Sequence, residues 1–132
     1  IRDRLRSRGL GDVYKRQDYL TRLDAYTFHE GFAHLLSYQA TEIDCVDWHT
    51  PQLTEVAAAS RAKLRLALTE TDTDRQKQFL EEAVCGSYYE KFACMCGMLY
   101  LADRWETQGI DGLQSAFADY HGFAQRALSI RI

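Results

Sequence analysis

Three residues within six positions could do chemistry: His29, Glu30 and His34. Imidazoles and carboxylates bind zinc-like cations, and imidazole moves protons near neutral pH. They sit in Tyr26–Tyr38, where Tyr26, Phe28, Ala33, Leu35 and Leu36, with Leu20 and Leu23 just before, give the apolar density of a buried helix. Glu30 and His34 are four apart, so a helix stacks them on one face. Burying that pair is costly unless the groups are paired or bound to a metal. His29 and His34 are five apart, a rotation of about 140°. Their rings therefore cannot share one metal on that face, and His29 points elsewhere. Gly31 lies between the pair, where it costs about 1 kcal/mol relative to Ala. Close approach of another backbone is a reason to accept that cost.

No His-Glu-x-x-His zinc helix occurs in the chain. Glu30-Gly31-Phe32-Ala33 nevertheless resembles the Asn-Glu-Gly-Phe-Ala element of gluzincin metallopeptidases, the thermolysin-like and aminopeptidase-like zinc enzymes, with His29 where the Asn stands. The resemblance implies that Glu30 is a third zinc ligand, the first two coming from a His-Glu-x-x-His helix further upstream. More loosely, Gly86-Ser-Tyr-Tyr-Glu-Lys-Phe-Ala93 resembles a downstream Tyr-containing helix of predicted zinc-dependent proteases of bacterial origin. That implies Tyr88 or Tyr89 as a donor to the developing oxyanion. His34, one turn after Glu30, becomes a residue that orients a ligand from behind. The implied cofactor is Zn2+, and the implied reaction is hydrolysis of a peptide or protein by metal-activated water.

The first seventeen residues differ from the rest. Ile1–Gln17 is rich in arginine and lacks a helical apolar stripe, and Asp12-Val-Tyr-Lys-Arg-Gln17 resembles the translated transposase-end adapter of sequencing libraries. Residues 1–17 are therefore expected to be a non-native or disordered scar without fixed packing. Residues 18–132 are expected to be a helical domain, the C-terminal part of a metallopeptidase catalytic domain whose His-bearing helix was cut off. On that expectation Glu30 faces an open groove, and the chain alone binds zinc weakly and hydrolyses nothing. The competing reading of the segment is a basic arm for nucleic acid or anionic lipid. The whole chain has net charge −3; without its first seventeen residues it has ten basic and seventeen acidic residues, net −7. An acidic domain of this kind argues against a nucleic-acid partner.

Cys45, Cys85, Cys94 and Cys96 form no Cys-x-x-Cys pair. Cys94 and Cys96 point about 200° apart on a helix, so they neither cross-link nor readily share a zinc. All four read as small buried hydrophobes, which favours a reducing, cytoplasmic compartment. The apolar run Phe92–Ala102 is too short to span a bilayer and suits a core helix.

A single Pro and long runs of helix formers predict an all-α fold. Asp18 is a cap for a first helix ending near Tyr38 or Thr41. Thr50 with Pro51 starts a second, to about Thr69. Thr73 and Gln76 have capping-box spacing for a third, which Cys85-Gly86-Ser87 breaks. Ser87 and Glu90 have the same spacing for a fourth, Tyr88 to about Thr107, apolar nearly all round and so packed on several sides. Gly109 stops it. Asp111 and Gln114 suggest a short helix to about Tyr120, and a last one follows the His121-Gly122 bend. The expected architecture is an irregular bundle of five or six helices around the central helix at about 88–107, with Tyr100, Trp105, Phe117 and Phe123 in the core. Besides the peptidase reading, two others stand: a non-catalytic helical interaction or structural module, and a small intact protein with a metal between Glu30, His34 and His49.

Overall fold

A computed structural model describes the backbone of residues 2–130 and the side chains of residues 16–130. Among the described residues there are six α-helices and no strand: α1 (Arg2–Ser37), α2 (Pro51–Thr69), α3 (Thr73–Val84), α4 (Phe92–Gln108), α5 (Ile110–Ala118) and α6 (Phe123–Ala127). The all-α bundle expected from the sequence is the fold. α4 is its axis and touches each of the other five helices. Eleven of its residues, from Phe92 to Asp103, are buried. A helix with no polar stripe in its middle has no face to offer water, so neighbours must cover it all round. Each fully buried Leu or Met there contributes about 1.5–3 kcal/mol. No described helix is long and apolar enough to cross a membrane.

α1 and α4 pass each other at a pair of glycines. A Cβ on Gly31 would lie 2.7 Å from the Gly97 backbone, and one on Gly97 would overlap the Thr27 carbonyl oxygen. Gly31 thus has the backbone neighbour that its position implied. Thr27 is fully buried there, its hydroxyl donating to the Leu23 carbonyl at 2.7 Å.

Several caps differ from expectation. α1 runs through Asp18 instead of starting there, and Asp18 pairs along the helix with Arg22 at 3.2 Å. The expectation that residues 1–17 lack fixed packing falls largely on side chains outside the described residues. Of that segment, Arg16 Nη1 donates to the Glu70 carbonyl at 3.4 Å. Thr50 caps α2 as expected, its hydroxyl accepting from Leu53 N at 3.2 Å. α3 is capped by Asp72 instead of Thr73, through Arg75 N at 3.0 Å, because a carboxylate one residue earlier reaches the free N–H first. Gln76 turns inward and donates to the Glu70 carbonyl at 2.9 Å. Ser87 and Glu90 make no capping box; Tyr88–Glu90 is a separate 3₁₀ turn, and α4 begins only at Phe92. Gly109 ends α4 with a positive φ of 61° and leads directly into α5, so Asp111 lies in the first turn of that helix instead of capping it. Phe123 is fully buried, whereas Phe117 is 48% exposed, because α5 lies at the edge of the bundle. Cys94 and Cys96 are buried, but Cys45 and Cys85 are exposed, since both fall in connections between helices.

A candidate metal centre between two helices

Glu30 and His34 project from α1 toward the start of α4, where Cys94 meets them. One donor atom from each of Glu30, His34 and Cys94 lies within 4.8 Å of the other two. The glycine contact sets this meeting. His34 is three residues after Gly31, Cys94 is three before Gly97, and the helices run antiparallel, so both steps lead to the same place. A cysteine reaches only one carbon from the backbone, so it can join such a cluster only where the helices are close.

The local hydrogen bonds fix the roles of the atoms. His34 Nδ1 is 2.6 Å from the Glu30 carbonyl oxygen one turn back. A carbonyl only accepts, so Nδ1 carries a proton and, in the neutral ring, Nε2 keeps its lone pair. The Cys94 thiol donates to the Ala83 carbonyl at 3.4 Å. Burial pushes that thiol up to about 12, with the Glu30 charge adding to the effect and Lys91 opposing it. Among the described ion pairs none involves Glu30. Glu30 and His34 are half-buried and Cys94 is fully buried.

The two tyrosine rings meet edge to face, 5.1 Å apart centre to centre, but their other partners differ. The Tyr88 ring lies 5.4 Å from the His34 ring, centre to centre, and Lys91 Nζ lies 5.5 Å from the Tyr88 ring centre. Burial, Tyr89 and Cys94 together hold the Tyr88 phenol above its usual range. Tyr89 instead shares a hydrogen bond with the Tyr38 hydroxyl at 3.0 Å. Of the expected site residues, Glu30 and His34 come together, Tyr88 lies beside His34, and Tyr89 has its hydroxyl engaged by Tyr38. His29 is exposed and packs edge-on to Phe28 and Tyr120. His49 is drawn off to Glu106, its Nε2 at 2.5 Å from the carboxylate, so it does not join Glu30 and His34.

The donor set fits zinc. Carboxylate, imidazole and thiol are its usual protein ligands, with bonds of about 2.0–2.3 Å. A tetrahedron of such bonds separates its donors by about 3.3–3.8 Å, against the 4.8 Å within which the three donor atoms lie here. Cys94 was hidden by its sequence context: an apolar run makes a cysteine look like core, which it also is. Only the Gly31–Gly97 contact, which no local pattern gives, relates the offset of His34 from Gly31 to that of Cys94 from Gly97. Surface grooves lie elsewhere, among them one around Tyr19, Lys77 and Leu80 and one around Lys63, Tyr89 and Phe92, neither lined by Glu30. No protein family, curated protein or solved structure matches the chain in comparisons with all three.

Proposed function

We propose that this chain carries the metal-binding part of a zinc-dependent peptidase, with Glu30 as a zinc ligand. The observation that supports the reading is the convergence of Glu30 and His34 with the Tyr88 ring at one end of the α1–α4 contact. Zinc, when bound, supplies Lewis-acid polarisation of a carbonyl and a water of lowered pKa. The chain's own residues then have separate tasks. Glu30 would hold the ion from a rigid helix. His34, with Nδ1 tied to the Glu30 carbonyl, presents a fixed tautomer. Tyr88 is 37% exposed, so its hydroxyl can donate to a peptide carbonyl oxygen that arrives from solvent. Tyr89 is left to hold the Tyr88–Glu90 turn through Tyr38.

The test is hydrolysis of a mixed peptide library, read by mass spectrometry, with and without a chelator. Glu30→Gln keeps the size of the side chain and removes its charge. The account expects chelator-sensitive cleavage by the protein in its full-length form, and its loss in Glu30→Gln together with at least about a hundredfold weaker zinc binding. Zinc binding and cleavage that survive Glu30→Gln would remove Glu30 from the chemistry.

A further inference from the structure

We infer that Cys94 is a metal ligand, so that Glu30, His34 and Cys94 form a three-donor zinc site held entirely between α1 and α4. The inference rests on the reading of Glu30 as a zinc ligand and adds the donor that makes the site independent of any other element. Four observations carry it. The three donor atoms already lie within 4.8 Å of one another. The glycine contact brings the backbones close enough for the short cysteine side chain to reach across. His34 donates Nδ1–H to a carbonyl, as metal-bound histidines do, and keeps Nε2 for the ion. Finally, the charges balance. Carboxylate, thiolate and neutral imidazole sum to −2, and no Lys or Arg pairs with Glu30 among the described ion pairs.

Binding replaces the thiol proton, now shared with the Ala83 carbonyl, by the metal. The proton leaves to water, and nothing is oxidised or reduced. Sulfur and imidazole nitrogen select zinc or cobalt over magnesium and calcium, which prefer oxygen alone. Three protein ligands leave the fourth position open, the arrangement of a catalytic zinc. The Tyr88 ring lies 5.4 Å from the His34 ring, so it would stand beside a metal held by His34. The expectation of weak zinc binding counted only missing histidines; Cys94 supplies a donor that it did not count.

Cobalt alone is the probe, in a chain with the exposed Cys45 and Cys85 changed to Ser. We expect one equivalent of Co2+ to bind with the visible bands of a tetrahedral ion and a thiolate-to-cobalt charge-transfer band in the near ultraviolet. Zinc should displace both. Cys94→Ser should abolish the charge-transfer band and weaken zinc binding roughly tenfold or more. Binding without that band, unchanged by Cys94→Ser but lost in Glu30→Gln, would overturn the thiolate ligand and leave the Glu30 reading standing. A band that persists with undiminished affinity in Glu30→Gln would remove Glu30 from the metal and so overturn both the Glu30 reading and the three-donor site. Because Cys94 is buried and its substitution could unfold the chain, X-ray absorption at the zinc edge of the unsubstituted protein gives a second measurement. One sulfur neighbour at about 2.3 Å is expected; nitrogen and oxygen neighbours alone would overturn the proposal.

Discussion

Asp24 does for α6 what no residue of that helix does. Its two carboxylate oxygens accept from Gly122 N at 2.9 Å and Ala124 N at 3.0 Å. α6 is a single short stretch after a left-handed Gly122, and it has no side-chain cap of its own. A carboxylate from α1 therefore both caps it and ties it to the bundle. Asp24→Ala should lower the unfolding free energy by about 1–3 kcal/mol, read by urea denaturation. An unchanged midpoint would mean that water replaces the carboxylate at no cost. His49 is the other residue with a measurable signature. Its hydrogen bond to Glu106 raises its pKa from the ordinary 6.5. A raised pKa means that the folded state holds the proton more tightly than the unfolded state. The stabilisation is thus fully present below the unfolded pKa and fades as pH rises through the folded one. Since His49 is largely exposed, solvent screens the effect and it is small. The thermal midpoint of His49→Gln should fall below that of the parent at acid pH and converge with it at alkaline pH. A difference that grows with pH would contradict the pairing.

At the scale of elements, the Gly31–Gly97 contact controls both packing and chemistry. A methyl at Gly97 meets the backbone of α1, which cannot swing aside as a side chain can. Gly97→Ala should therefore cost about 1–3 kcal/mol through overpacking. It should also weaken zinc binding, because pushing α4 away carries Cys94 from Glu30. A stable Gly97→Ala protein with undiminished zinc affinity would show that the spacing is not what assembles the site. Half of this contact was legible in the sequence. Gly31 in an apolar helix signalled a close backbone, but its partner is sixty-six residues away, and no local pattern gives the register of one helix on another. The caps show the same division. Thr50-Pro51 was readable because both signals act within one turn. Asp18, Thr73 and Ser87 each had a suitable side chain and yielded to context: a longer helix, an earlier Asp72, and a turn held by Tyr38 and Tyr89.

Across the whole molecule, the architecture was legible because helical periodicity and a nearly all-round apolar stretch leave few alternatives. One helix must be central, and α4 is. The candidate site was legible only along α1, where Glu30 and His34 fall one turn apart. Its other half depends on tertiary placement: Tyr88 reaches His34 through a turn the sequence presented as helix, and Cys94 through antiparallel packing. The exposed aromatic residues Phe117 and Tyr120 packing against Phe28 also came from tertiary placement, since α5 alone looks amphipathic enough to be core. Both proposals require Glu30 to bind a metal at the α1–α4 contact. Anomalous diffraction at the zinc edge, from crystals grown with one equivalent of zinc, tests this most directly. One strong peak is expected within about 2.0–2.2 Å of a Glu30 carboxylate oxygen, with His34 Nε2 also in bonding range. Zinc bound elsewhere, with the Glu30 carboxylate left free, would contradict it.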